Sequence, residues 1–122
     1  MKKLNVISLV LVFAGALVLT PPAQAHASLK SSSPAANATV EAAPKDIALT
    51  FSEKVEESFS AIALKDAAGK DVTAAKAHID ATDGATLRLD APLLSSGVYA
   101  VRWVAVAHDG HRRTGEFKFT VK

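Results

Sequence analysis

Apolar side chains in several segments of this chain recur at every second residue, and this alternation restricts the fold more than any other feature. Near the end of the chain, Phe117, Phe119 and Val121 alternate with polar and charged residues. Three earlier segments repeat the pattern: 46–52, 60–65 and 86–89. A period of two places apolar side chains on one face of an extended backbone, so each segment is predicted to be a strand with one buried face.

The segment from Val98 to Ala107 is the strongest predicted strand. Arg102 is its only charged residue, and it therefore predicts a central strand that is covered on both faces. One face carries Tyr99, Val101 and Trp103, and the other carries Val98, Ala100, Val104 and Val106. Tyr99 and Trp103 are expected in the core rather than in a redox relay.

Turn signals separate the predicted strands. Asp66–Gly69 and Asp83–Gly84 each place a glycine where a turn needs a positive φ. The alanine-rich segment 72–79 predicts only a weak strand, and no 3.6-residue apolar period supports a helix there. Six or seven short strands without a helix predict an all-β fold, a small Greek-key β-sandwich or barrel.

The first 25 residues have the organisation of a signal peptide. Lys2 and Lys3 precede the apolar run 6–19, and Ala23-Gln24-Ala25 provides a small-x-small cleavage pattern. The run is shorter than the roughly 20 helical residues that cross a bilayer, which disfavours the alternative of a membrane anchor. Cleavage after Ala25 predicts one exported domain, residues 26–122, without membrane insertion.

The composition of this domain excludes several classes of function. Two of the 14 basic side chains leave with the signal peptide, and 12 then face 12 acidic ones. Without a basic stripe, no nucleic-acid partner is expected. Because the chain has no cysteine and its only methionine is Met1, the mature domain has neither thiolate ligands nor the thioether ligands that favour Cu(I).

A histidine at the first mature position, His26, is a chelating residue. Its α-amine and its Nδ1 can bind one metal together, and both can lose their protons to a metal near neutral pH. Nitrogen donors in a tetragonal arrangement suit Cu(II), which also heads the divalent affinity order. By itself, a histidine at the cleavage point is a modest indication, since it can occur there by chance.

The tripeptide Asp109-Gly110-His111 offers partner donors. Side chains at i and i+2 of an extended or tightly turned segment lie on the same side, so the carboxylate and the imidazole can face one ion. Gly110 allows the backbone to tighten. An Asp-x-His pattern alone is a weak signal, because an ordinary polar loop between two strands has the same composition.

An ordered set of short motifs resembles the CopC family of periplasmic copper-binding proteins. The motifs cover nearly the whole mature chain and are His26-Ala27-x-Leu29, Ser32-Ser33-Pro34-Ala35, Leu49-x-Phe51-Ser52-Glu53, Gly97-x-Tyr99-x-Val101-x-Trp103 and Asp109-Gly110-His111-x-x-x-Gly115-x-Phe117-x-Phe119. The resemblance implies a cupredoxin-like Greek-key sandwich that acts in copper resistance or homeostasis as a carrier or buffer. It also implies a possible inner-membrane copper transport protein as partner.

Carried over by position, the resemblance implies one Cu(II) per chain, bound by His26, Asp109 and His111. Glu53 matches a family glutamate and is expected at most as an axial or outer-sphere group. Some family members bind Cu(I) in a methionine-rich loop, which this chain lacks. The resemblance therefore implies a Cu(II)-only member, which we expect to be monomeric and not an enzyme.

Two other functions are compatible with some of these features, and two other histidines have no assigned role. A copper-dependent oxidative enzyme of the lytic polysaccharide monooxygenase type also uses an amino-terminal histidine, but 97 residues leave little room for a substrate surface. A metal-free Ig-like interaction domain would make the histidines coincidental. We expect His78 at the surface, and His108 on the opposite side of its segment from Asp109, without direct metal contact.

Overall fold

The computed structural model of this protein describes residues 27–122, so the predicted signal peptide and His26 lie outside the described residues. Eight strands and one short 3₁₀ helix make up the described chain. In order, they are β1 (Leu29–Ser33), β2 (Thr39–Val40), β3 (Asp46–Phe51), the 3₁₀ helix (Glu57–Phe59), β4 (Ala61–Lys65), β5 (His78–Ile79), β6 (Thr86–Asp90), β7 (Gly97–Val106) and β8 (Arg112–Val121).

The strands form two four-stranded sheets. One sheet has the order β1-β3-β6-β5 and the other the order β2-β8-β7-β4. All neighbouring strands are antiparallel except β2 and β8, which are parallel. The prediction of an all-β sandwich is confirmed. No helix among residues 27–122 is long and apolar enough to cross a membrane.

The core lies between the inner faces of the two sheets, where the alternating apolar residues of the sequence meet. Phe51 and Trp103 join the sheets edge to face, with ring centroids 5.1 Å apart, and Tyr99 stacks on Phe119 at 5.7 Å. The largest fully buried side chains are Phe51, Phe119, Ile47, Leu49, Leu64, Leu87, Leu89 and Val101. Tyr99 and Trp103 are buried, which confirms that they belong to the core.

The outer face of β7 differs from the prediction. The strand is central in its sheet, between β4 and β8, but the prediction that both of its faces are covered is wrong. On this outer face, Arg102 is exposed and Val98 is 40% exposed. The alternate residues of the strand point the other way and are buried in the core. A two-layer sandwich leaves the outer face of each sheet to solvent, so a low number of charges does not by itself indicate a second covering layer.

The weak strand predicted over 72–79 is reduced in the structure to His78 and Ile79. The residues before it protect the free edge of β4 instead. The Val72 N–H donates to the Leu64 carbonyl (2.8 Å), and the Leu64 N–H donates to Thr73 Oγ1 (2.8 Å). Covering an edge in this way removes groups that could otherwise pair with another chain.

Candidate metal centre

The turn between β7 and β8 presents residues 107–111 at one end of the sandwich. The Ala107 N–H donates to the His111 carbonyl (3.0 Å), and the Gly110 N–H donates to the Ala107 carbonyl (2.9 Å). Gly110 has a φ of 85°, in the left-handed region that residues with a side chain rarely adopt. The backbone of the turn therefore closes on itself, and its conformation favours glycine at position 110.

Asp109 and His111 lie side by side on this turn. Nδ1 of His111 is 2.8 Å from Oδ2 of Asp109, and the His111 N–H donates to Oδ1 of Asp109 (3.0 Å). The side chains are 36% and 55% exposed, respectively, for Asp109 and His111. The prediction that the two side chains share one side of the turn is confirmed, and the carboxylate orients the imidazole ring.

The described residues bring together two predicted donors but not a full set. Among residues 27–122, no three His, Cys, Asp or Glu side chains are grouped closely enough to hold a metal ion. The third predicted ligand, His26, lies outside the described residues. It is the only residue of these four types in the first 26 positions. Asp109 and His111 therefore form an incomplete donor set within the described part of the chain.

The start of the described chain lies at the same end of the sandwich as this turn. The Ser52 N–H donates to the Ser28 carbonyl (2.8 Å), which continues the pairing of β1 with β3. Three residues later, Val55 forms an isolated antiparallel bridge with Ala107. The short segment 52–55 thus contacts both the residues that follow His26 and the turn that carries Asp109.

Glu53 lies in the segment 52–55 and Glu56 directly follows it, but the two side chains differ in their contacts. Glu53 is half-buried, and the structure does not group it with Asp109 and His111. Glu56 reaches the turn: its Oε1 lies 3.6 Å from Nδ1 of His108, and its N–H donates to the Val106 carbonyl (2.8 Å). Glu56 was not predicted from the sequence, because its contact with His108 depends on strand pairing and no local spacing reveals it.

The two remaining histidines lie in different surroundings. His78 is exposed on the edge strand β5, which confirms the prediction of a surface residue. His108 contacts Glu56, whereas Asp109 contacts His111. The two neighbouring side chains of the turn therefore have different partners, and the expectation that His108 does not bind the metal stays a prediction.

A second turn, between β5 and β6, adds ionised carboxylates at this end. The Val55 N–H donates to the Gly84 carbonyl (3.1 Å), and this bond joins the second turn to the segment 52–55. Hydrogen bonds from the hydroxyl and then the N–H of Thr82 are the main reasons that the pKa of Asp80 falls to about 2. Backbone N–H and hydroxyl donors also lower the pKa of Asp83. The donors of their own turn thus hold both carboxylates in the ionised form, and Asp80 is also paired with Arg88 at 3.0 Å.

Comparison with known proteins identifies the family. The profile of the CopC domain matches residues 29–122. The chain belongs to the CopC family. Among curated relatives, protein YobA of Escherichia coli K12 is 39% identical over 106 residues, which are 86% of each chain. The crystal structure of CopC from Methylosinus trichosporium OB3b superimposes with a TM-score of 0.76 at 38% identity, covering 80% of this chain and 94% of that one.

A second solved structure in this family differs from this chain in its methionine content. PcoC of Escherichia coli is described as a methionine-rich copper resistance protein. It superimposes with a TM-score of 0.71 at 38% identity and covers 80% of this chain and all of its own. The present chain has one methionine, Met1. CopC proteins are copper-binding resistance proteins and not enzymes, so the expectation of a non-enzymatic copper protein is confirmed and the oxidative-enzyme alternative is set aside.

Proposed function

We propose that this chain is an exported Cu(II) carrier or buffer that acts in copper resistance and homeostasis in the periplasm. Removal of the first 25 residues makes His26 the amino terminus. Its α-amine and imidazole bind one Cu(II) per chain together with Asp109 and His111. The observation that carries the proposal is the pair of Asp109 and His111, a nitrogen and an oxygen donor held side by side on a partly exposed turn.

The number of donors supports this assignment. A tetragonal Cu(II) site takes about four donors in its plane. Asp109 and His111 supply two, and no third His, Cys, Asp or Glu side chain is grouped with them among residues 27–122. A free amino terminus on His26 supplies two more nitrogens within one residue. Because Ala27 is fully buried and Ser28 is bonded to Ser52, the chain that follows His26 is anchored at this end of the domain.

The separation of the paired donor atoms is also compatible with one shared metal ion. Two neighbouring donors at bonds of about 2.0 Å and a right angle stand about 2.8 Å apart. Oδ2 of Asp109 and Nδ1 of His111 are separated by 2.8 Å. The two donor atoms are therefore close enough to bind one copper ion once both side chains turn to direct their lone pairs at it.

The donor chemistry favours Cu(II) over Cu(I). Nitrogen and carboxylate ligands suit Cu(II), whereas thioethers suit Cu(I), and residues 26–122 contain no methionine. Glu53 follows Ser52 directly on the connecting segment, and we assign it at most an axial or outer-sphere position. The exposure of His111 allows a monomeric carrier to transfer copper by direct contact, for which an inner-membrane copper transport protein is the proposed recipient.

Adding one residue before His26 tests this proposal most directly. The extension converts the metal-binding amine into an amide, so we expect the affinity for Cu(II) to fall by at least about a hundredfold. Cu(II) titration followed by EPR should show one tetragonal, nitrogen-rich signal for the chain that starts at His26. The extended chain should lose that signal at the same copper concentration.

The matched control is a chain that starts at His26 and carries His78→Ala, which removes an exposed imidazole that belongs to the edge strand β5 and not to the donor turn. It should bind like the unmodified chain. Intact mass of the exported protein establishes whether the terminus is His26. Unchanged binding by the extended chain would contradict the chelate, and a different mature terminus would contradict the proposed processing.

A further inference from the structure

The amino-terminal end of β1 is held by an unusual pairing with Ser52. The register of β1 and β3 shifts between Leu29 and Ser31, and Ser28 lies opposite Ser52 beyond this irregularity. The Ser52 N–H donates to the Ser28 carbonyl (2.8 Å), as in a regular antiparallel pair. The reciprocal donor, the Ser28 N–H, bonds to Oγ of Ser52 at 3.0 Å.

The hydroxyl of Ser52 thus accepts the bond that a main-chain carbonyl accepts in a regular ladder. It also accepts a hydrogen bond from the hydroxyl of Ser28 (3.1 Å). Three hydrogen bonds therefore join Ser28 to Ser52, and two of them end on the same oxygen atom. Both serines are at least partly exposed, so water competes for these bonds whenever the pairing opens.

We propose that Ser52 is a positioning residue for copper: its hydroxyl holds the amino-terminal residues in the orientation in which the terminal amine and imidazole meet Asp109 and His111. This inference rests on the proposed function. Ser28 is two residues from the proposed terminal ligand, and a chain end fixed at Ser28 has few rotatable bonds left to order when copper binds.

The residues that follow Ser52 fix its position relative to the turn that carries Asp109 and His111. Val55 bridges to Ala107, and the Glu56 N–H donates to the Val106 carbonyl. The Val106 N–H donates in turn to Oγ of Ser60 (3.1 Å). The segment that holds Ser28 is therefore also bonded to the strand that leads into the donor turn, so both halves of the donor set are positioned by one piece of backbone.

Pre-organisation predicts a specific change in affinity. If only a fraction of the free protein has its terminus docked, the apparent dissociation constant rises as that fraction falls. Ser52→Ala removes the acceptor of two hydrogen bonds, and we expect the dissociation constant for Cu(II) to rise about tenfold. Ser28→Ala removes only the hydroxyl-to-hydroxyl bond and should have a smaller effect, about threefold.

The decisive comparison uses mature protein with its native terminus and Cu(II) as the probe, in competition with a chelator of known affinity. Ser52→Thr keeps a hydroxyl and should restore binding to within about twofold of the unmodified chain. Ser31→Ala is the matched control, because it makes the same chemical change at an exposed position of β1. The EPR spectrum of copper-saturated Ser52→Ala should equal that of the unmodified protein, since every ligand is retained.

Two further readouts separate positioning from a general loss of stability. Hydrogen exchange at the backbone amide of Ser28 should be faster in apo Ser52→Ala than in apo Ser31→Ala. Tyr99→Phe, which removes the hydrogen bond from the Tyr99 hydroxyl to the Ser95 carbonyl (2.7 Å) at the other end of β7, should leave copper affinity unchanged.

Equal affinities of Ser52→Ala and Ser31→Ala would refute the positioning role and leave the copper site itself intact. A failure of Ser52→Thr to restore binding would also refute it. If the unmodified mature chain gives no nitrogen-rich Cu(II) signal in the EPR spectrum, the proposed function and the positioning role of Ser52 are both refuted.

Discussion

Gly115 lies beneath the indole of Trp103, and the space there leaves no room for a methyl group. The two residues are paired across β7 and β8. A Cβ atom at position 115 would stand 2.4 Å from Cζ2, 2.5 Å from Cε2 and 2.7 Å from Nε1 of the indole. These distances are far below ordinary van der Waals contact, so Gly115→Ala must displace either the ring or the strand.

The ring has little freedom to move. Trp103 is only 8% exposed and meets Phe51 edge to face across the core. Relieving the contact requires a shift of about 1 Å, and overpacking of this kind costs about 1–3 kcal/mol. Alanine would otherwise gain about 0.4–1 kcal/mol by restricting the unfolded chain. We therefore expect Gly115→Ala to lower the free energy of unfolding by about 1–2 kcal/mol and the melting temperature by about 10 °C.

Urea denaturation followed by circular dichroism measures this loss in the apo protein. Thr114→Ala is the control, because Thr114 is the exposed neighbour on the outer face of β8. Trp103→Phe removes Nε1 and the fused ring, so Gly115→Ala should cost less in that background, and the double-mutant cycle should show a coupling energy of about 1 kcal/mol. If Gly115→Ala is as stable as Thr114→Ala, the ring moves freely and the packing argument is wrong.

Two further predictions concern the donor turn and the acid stability of the domain. His111→Ala should weaken Cu(II) binding by at least about a hundredfold, whereas the exposed His78→Ala should not change it; equal effects in a copper titration would contradict the assignment. The pKa of Asp80 is lowered from 3.8 to about 2 in the fold, so its ionised form favours folding. This contribution to the free energy of unfolding is complete above about pH 5 and is lost as the pH falls towards 2. Asp80→Asn should therefore lose less stability than the unmodified chain between pH 5 and pH 2 in a series of urea titrations, and parallel losses would show that another group is responsible.

The strands were predictable because burial of one face is a local property of the sequence. The alternation of Phe117, Phe119 and Val121 marks the buried positions of β8, although Phe117 is only partly buried. The proximity of Asp109 and His111 was predictable for the same reason, since the two residues are separated by one glycine. The side-chain direction follows from the backbone over such a short distance.

Contacts between distant segments were not predictable in this way. The outer face of β7 has the composition of a buried face, and only the two-layer architecture leaves it exposed. Residues 72 and 73 were predicted as part of a strand, but they bond to the edge of β4. Glu56 was not singled out, because its contact with His108 depends on the bridge between Val55 and Ala107.

The sequence by itself determined the all-β fold, the pair of Asp109 and His111 and the resemblance to CopC. Each of these depends on residues that are close together in the chain or on an ordered set of motifs. Only the tertiary structure decided that Ser28 and the donor turn lie at one end of the sandwich. The pairing of β1 with β3 and the bridge between Val55 and Ala107 bring them there. These are long-range backbone contacts whose register depends on the packing of the whole core, and no local pattern encodes them.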